Sequence, residues 1–272
     1  MRFDIIVGNP PYIKNLHLRI LSKCVDMADI VSFIHPGGWT MRRSNRAEES
    51  TIIDQLRRRT KRLTYINGHR FFGASFGSPL VITEVVKYNN GPFEVVYPNG
   101  NRYQVATYED MPTGVWEPRS EIFALVEKVK SIAQQSSIVK IFGPYKGGSY
   151  LGQPSMVNNA RDNVLSLVST DYWVFFVHGS DIHSEKVANE RGCYNLANDD
   201  EVVNLKSYLK TKVARFGLGI NKVSFDLCTR RYLRNVPLPP LDRAWDDDSI
   251  MDFYGFSDEE KALLHSLIDD FY

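Results

Sequence analysis

Residues 3–14 read FDIIVGNPPYIK, and the fold of the whole chain turns on how this stretch is parsed. Residues 3–8 form a short, mostly apolar run with Asp4 near its start, closed by Gly8, Asn9, Pro10 and Pro11. That pattern predicts a buried strand stopped by a turn, because two consecutive prolines lack the N–H groups needed to continue a ladder. Leu16, Ile20, Leu21, Cys24, Val25 and Ala28 then recur at helical spacing, and DIVSFIHPGGW (29–39) is a second apolar run closed by Pro36, Gly37 and Gly38. Residues 47–62 read as a helix with Ile52, Ile53 and Leu56 on its apolar side. Two β-rich runs follow, RLTYIN (62–67) and PLVITEVVKY (79–88), separated by the glycine-rich GHRFFGASFGS, which reads as a hairpin connection.

Strands alternating with helices predict an α/β fold: part of a Rossmann-like, doubly wound and mostly parallel sheet, with an antiparallel pair at its end. Ligands of such sheets bind at the carboxyl ends of the strands, so the turns at 9–12 and 36–39 are expected to open on one edge. Beyond residue 90 the texture changes to short β-like pieces. FEVVYPNGNRYQVATY (93–108) carries Asn99-Gly100, a strong hairpin signal. A helix over 118–135 leads to a second region containing VKIFGPYKGGSYLG (139–152), DYWVFFVHGSDI (171–182) and a helix over 199–216. The end is a proline-rich connection and a short acidic helix, for which Ser257 and Glu260 form a capping box. Two domains are expected, 1–115 and an α+β domain over 116–272.

The 272 residues are 43% hydrophobic and 24% charged, ordinary values for a globular protein that favour neither disorder nor a membrane class. No apolar run approaches the roughly 18 residues that span a bilayer, and MRFDIIVGNPP lacks the shape of a secretory signal, so a cytoplasmic location is expected. Cys24, Cys193 and Cys228 are odd in number and widely spaced, which suits reduced thiols in packing roles. The net charge of +1 conceals an uneven distribution, with 14 basic against 7 acidic residues over 1–90 and 2 against 10 over 242–272. A basic first third is what a polyanion-binding face needs, although LRRRTKR (56–62) reads equally well as a solvated helix face.

FDIIVGNPPYIK resembles the catalytic motif of S-adenosylmethionine-dependent amino-group methyltransferases, and with the downstream pattern the chain is most similar to adenine-specific (N6) DNA methyltransferases. The likeness to the methylase part of type IIG restriction-modification proteins extends more weakly over nearly the whole chain. IVSFIHPGGWTMRR resembles the strand and turn after the catalytic motif, and FFGASFGSPLVITEVVKY the later hairpin. NLKSYLKTKVARFGLG and VPLPPLDRAW resemble the end of the target-recognition region. The resemblance implies a catalytic half-domain over 1–115, a DNA target-recognition domain over 116–272, double-stranded DNA as partner and S-adenosylmethionine as cofactor.

It also implies residue roles. The exocyclic amine of a purine is a poor nucleophile because its lone pair is delocalised into the ring. The Asn9 side-chain carbonyl and the Pro10 backbone carbonyl would accept hydrogen bonds from the amine and localise that lone pair, with Pro10 and Pro11 holding the backbone in advance. Tyr12 would stack on the flipped base. Phe71 or Phe72 would form a second aromatic wall, and the spacing does not choose between them; both also read as core. Candidates for phosphate contact are Arg42, Arg43, Arg57, Arg58, Arg59, Lys61, Arg62 and Lys146. The motif alone leaves the substrate open, since enzymes that methylate a glutamine amide or guanine amines in RNA carry similar residues. The long continuation after the sheet favours DNA, and Asn at the first motif position leans toward adenine.

One element of the family is missing. Its glycine-rich cofactor turn and the acidic residue that holds the ribose should precede residue 3, and neither GPYKGGSYLG nor FGASFGSP follows a strand and opens a helix as such a turn does. The cofactor-binding half is therefore expected outside this polypeptide, which would make the chain one part of a split enzyme completed by a second chain, a fragment, or a non-catalytic DNA-binding remnant. An incomplete sheet is expected to leave an open edge and uncovered apolar surface. His178, Asp181 and His183 fit no common metal-ligand spacing, and no metal is expected. Asp246, Asp247 and Asp248 read as a solvated helix start, and no nuclease motif stands out.

Overall fold

The computed structural model describes residues 2–41, 47–66, 72, 80–89, 91–111, 116–143, 155–158, 164–166, 173–175, 177–179, 193–220 and 233–268. The chain divides into two compact units, one built from Met1–Arg119 and the other from Ser120 onward apart from a short segment near 170. No helix among the described residues is long and apolar enough to cross a membrane.

The first unit is a mixed α/β layer. Its elements are β1 (Phe3–Gly8), α1 (Leu16–Val25), β2 (Ala28–Pro36), the short α2 (Gly38–Met41), α3 (Ala47–Arg57), β3 (Thr60–Ile66), β4 (Leu80–Val86), β5 (Phe93–Val96) and β6 (Arg102–Val105). The six strands form one sheet in the order β1-β2-β4-β3-β5-β6. β1 and β2 are parallel, as are β3 and β5, whereas β4 runs antiparallel to both its neighbours and β6 antiparallel to β5. An antiparallel pair was expected at the end of the sheet; β4 instead lies inside it, matched residue for residue to β2 from Ile30↔Val86 to Pro36↔Leu80. Composition explains the insertion. β4 presents Leu80, Ile82 and Val86 on one face and Val81 and Val85 on the other, the two-sided apolar character of a central strand.

The core lies on one face of this sheet. Leu18, Leu21 and Val25 of α1 and Ile53 and Leu56 of α3 pack on Val31, Phe33, Leu63, Tyr65, Val81, Val85 and Val95. Each fully buried aliphatic chain there contributes about 1.5–3 kcal/mol. Strand alternation sends Phe3, Ile5, Val7, Ile30, Ile34, Ile82 and Val86 to the other face, which no helix among the described residues of this unit covers. A doubly wound sheet would carry helices on both. Toward β6 that face turns polar, with Arg62 paired to Glu84 (3.1 Å) and Glu94 (2.5 Å) and Arg102 to Glu94 (3.3 Å). Toward β1 it stays apolar, Ile5 being 58% and Val7 73% exposed, so the strand expected to be buried is an exposed one at the end of the described sheet. The hairpin β5–β6 closes at Asn99-Gly100 as expected, with Gly100 at φ 89°, a conformation that favours glycine.

The second unit opens with α4 (Ser120–Gln135), which buries Ile122, Leu125, Val126, Val129 and Ala133 along one side. Its described strands make a four-stranded sheet from Phe142–Gly143, Ser155–Asn158, Val177–Gly179 and Cys193–Asn195, and a two-stranded one from Val164–Ser166 and Trp173–Phe175. The single helix expected over 199–216 is two: α5 (Asp199–Lys210) and α6 (Lys212–Gly219). Thr211 causes the break. Its backbone is extended (φ −66°, ψ 153°) and its hydroxyl accepts from the Ala214 N–H, so it caps a new helix instead of continuing the old one. α7 (Asp247–Phe253) and α8 (Asp258–Leu267) end the unit, capped by Asp246 with Ser249 and by Ser257 with Glu260.

α6 is buried along its whole length and crosses the 235–236 segment closely. A Cβ built on Gly217 would stand 2.4 Å from the Asn235 carbonyl oxygen. Ala is the better helix former by about 1 kcal/mol, so only the backbone clash opposes it. Gly217→Ala is expected to destabilise the protein by about 1–3 kcal/mol, read from the urea midpoint; a rise in the midpoint would show that helix propensity wins.

Candidate functional site at the carboxyl edge of the sheet

β1 and β2 run parallel with Gly8 opposite Phe33, so the turns that follow them stand on the same edge, as expected. At Gly8 a side chain would meet the Phe33 ring at 3.2 Å, and beyond it Asn9 is exposed, Pro10 buried and Pro11 exposed. Pro10 thus anchors the turn while Asn9 stays accessible. Tyr12, half-buried, has φ −88° and ψ −2°, a right-handed turn conformation that leads the chain off the prolines. Its hydroxyl donates to Asn9 Oδ1 at 2.6 Å and lies 3.5 Å from the Ile34 carbonyl oxygen. Burial raises the Tyr12 pKa, which keeps the hydroxyl a donor.

Lys14 (φ 49°) and Asn15 (φ 60°) are left-handed, an uncommon conformation for non-glycine residues, and they aim the chain from the turn into α1. Asn15 is held there by Nδ2 donating to Glu49 Oε1 at 2.7 Å. Beneath Tyr12 a column of rings enters the core. Tyr12 meets His17 edge-on at 6.0 Å between ring centres, His17 lies 5.1 Å from His35, and His35 stacks on Trp39 at 6.1 Å. His35 Nε2 is 2.9 Å from Thr83 Oγ1. The second turn is tied down by Thr40, whose hydroxyl donates to the Gly37 carbonyl and stands 2.7 Å from the Tyr65 hydroxyl.

Of the other site candidates, Phe72 is 49% exposed, whereas Phe71, Arg42, Arg43 and Lys146 lie outside the described residues. The backbone of the basic run lies at the end of the strands away from Asn9, although the Arg57 guanidinium reaches back to the second turn. Thr60 pairs with Val85, and Ile66 with Leu80, which itself opposes Pro36, so residues 57–61 occupy the far end of the strands. Arg57 donates to the Trp39 and Thr40 carbonyls (both 3.3 Å) and lies 4.9 Å from the Tyr108 ring centre. Arg59 pairs with Asp26 (3.2 Å) and Arg62 with Glu84 and Glu94, while Arg58 and Lys61 are exposed. A cavity of about 600 Å³ opens at that same far end, lined by Asp54, Arg57, Arg58, Asn89, Phe93 and Tyr108. Its mixed charge makes it no obvious anion site, and it does not adjoin Asn9.

Among the described residues no group of three or more His, Cys, Asp or Glu side chains is arranged to hold a metal. His178 lies in the Val177–Gly179 strand, whereas Asp181 and His183 lie outside the described residues. Asp246 begins a helix as read from sequence, its pKa lowered by the hydrogen bonds from Ser249. Sequence reasoning missed the ring column. Its signal was a histidine at an apolar-periodic position of α1 and another inside the apolar run of β2. Compared with known protein families and curated proteins, the chain matches no family model and no curated sequence.

His17 and His35 are buried, and desolvation lowers their pKa values to about 4 and about 3, the latter helped by the charge of His17. Both are depressed below the ordinary 6.5, so the unfolded chain binds the protons first. Their contribution to stability is complete above pH 6.5 and declines as the pH falls toward 4, by about 1.4 kcal/mol per pH unit for each histidine. Chemical denaturation of the wild type and of His35→Gln between pH 7 and 4.5 is expected to show a smaller loss in the variant; parallel curves would remove His35 as a source of the pH dependence.

Proposed function

We propose that the chain is the catalytic and target-recognition part of a DNA adenine N6-methyltransferase, transferring a methyl group from S-adenosylmethionine to a flipped adenine in double-stranded DNA. The observation that carries this reading is Asn9: exposed at the carboxyl end of a strand, with its side-chain oxygen accepting a hydrogen bond from a neutral donor at 2.6 Å. An oxygen so disposed is an acceptor for an amine proton. The Pro10 carbonyl would take the second proton, and the buried Pro10 ring fixes that peptide before the substrate arrives, which is preorganisation and not acid–base chemistry. Tyr12, backed by His17, supplies a ring that recovers stacking lost when the base leaves the duplex.

S-adenosylmethionine would supply the electrophilic methyl. The described residues do not form a holder for it. Of the carboxylates flanking the motif, Asp29 pairs with Arg2 and Glu49 accepts from Asn15, while Asp4 lies near the opposite end of β1 from Asn9. The outer edge of β1 has no partner strand among the described residues and its free face is apolar, which supports a further strand-bearing segment at that edge as the cofactor's holder. The same incompleteness favours a second reading, a DNA-binding protein without catalysis. Titration with S-adenosylmethionine separates the two: no binding by the chain, alone or with a candidate second chain, would favour the second.

Asn9 is exposed, so its loss should leave folding intact. Asn9→Ala is expected to lower methyl transfer by about 10²-fold or more while DNA affinity stays within about twofold. Labelled-methyl incorporation measured beside a DNA-binding titration checks this, and an equal loss of both would count against the assigned role.

A further inference from the structure

We propose that Tyr12 is a positioning residue for Asn9: its hydroxyl decides which end of the carboxamide faces the target amine. The inference rests on the amino-group methyltransferase reading and adds a division of labour within the motif.

A primary carboxamide has two ends of nearly equal size and opposite polarity, an acceptor oxygen and a donor NH2. For an exposed asparagine the two orientations differ little in energy unless a neighbour discriminates between them. If the NH2 end faced the substrate amine, donor would meet donor and the lone pair on the substrate nitrogen would not be localised. The neighbour here is Tyr12. Its hydroxyl reaches Asn9 Oδ1 at 2.6 Å, a distance typical of a good O–H···O bond. An sp² oxygen accepts along two lone-pair directions, so one bond from Tyr12 leaves the second direction for an amine proton.

Three features make the hydroxyl a dependable donor. The left-handed Lys14 and Asn15 that follow Tyr12 are pinned through Glu49, which fixes the backbone that carries the ring. His17, buried in α1, stands nearly perpendicular to the ring, with centres 6.0 Å apart. Among the described residues a competing acceptor, the Ile34 carbonyl oxygen, is at 3.5 Å, too far to draw the proton from Asn9. The ring and the hydroxyl of one residue therefore do two jobs: the ring offers a stacking face, and the hydroxyl orients the acceptor.

The separation is testable because aspartate has no wrong end. With protein labelled at asparagine with ¹⁵N, Tyr12→Phe is expected to shift the Asn9 side-chain amide resonances while those of Asn15 stay in place; unchanged Asn9 resonances overturn the proposal whatever the ligand does. With deoxyadenosine as the probe, Tyr12→Phe is expected to weaken binding about fivefold in the Asn9 protein. In the Asn9→Asp background, where both oxygens accept, the same change is expected to cost less than about twofold. An equal loss in both backgrounds would mean that the hydroxyl does not act through carboxamide orientation. If Asn9→Ala binds deoxyadenosine as the wild type does, the amine-site reading itself fails, an outcome distinct from failure of the orienting role.

Discussion

The antiparallel ladder between β2 and β4 is the contact on which the remaining geometry depends. Seven consecutive matched residues, from Ile30 with Val86 to Pro36 with Leu80, leave β2 one free edge, which β1 occupies in parallel. β4 carries β3 on its other side, and β3 carries β5. Both turns that end β1 and β2 thereby share one rim, while the start of β3, with its arginines, is held at the opposite rim. A one-residue slip in this ladder would exchange the faces of β4, exposing Val81 and Val85 and burying Glu84. The fully buried Thr83, bonded to His35 across the same pair, helps to register it.

That rim is built from local strain backed by a rigid interior. Left-handed Lys14 and Asn15 and two consecutive prolines compress a strand-to-helix transition into a few residues. Such conformations persist only where surrounding packing over-determines them. The column of Tyr12, His17, His35 and Trp39 supplies that packing, and burial keeps both imidazoles neutral near pH 7, so the column adds ring contacts without adding charge beside Asn9.

Much of the local structure was legible in the chain. The strand ending at Asn-Pro-Pro, the hairpin at Asn99-Gly100, the capping box at Ser257 and the Asp246 helix start all rest on backbone rules that act over a few residues: absent N–H groups, positive φ and side-chain caps. The break at Thr211 was not read, because one threonine costs a helix interior only about 0.5 kcal/mol against alanine, too little to outweigh the amphipathic pattern on both sides of it. The basic run misled for a related reason. Its charges are visible in sequence, but whether an arginine faces solvent or a carboxylate depends on partners far along the chain, Asp26 for Arg59 and Glu84 and Glu94 for Arg62.

The residues themselves decide that β1 stops at Asn9, that the turn is stiff, and that an acceptor and an aromatic ring stand three positions apart, since each follows from covalent geometry within the tetrapeptide. Only the tertiary structure decides that the antiparallel strand lies within the sheet, that half of one sheet face is apolar and uncovered by helix among the described residues, and that Tyr12 turns its hydroxyl onto Asn9. Those outcomes depend on pairings and ring contacts between segments tens of residues apart, where the energy of a match is set by the partner and no single segment encodes it.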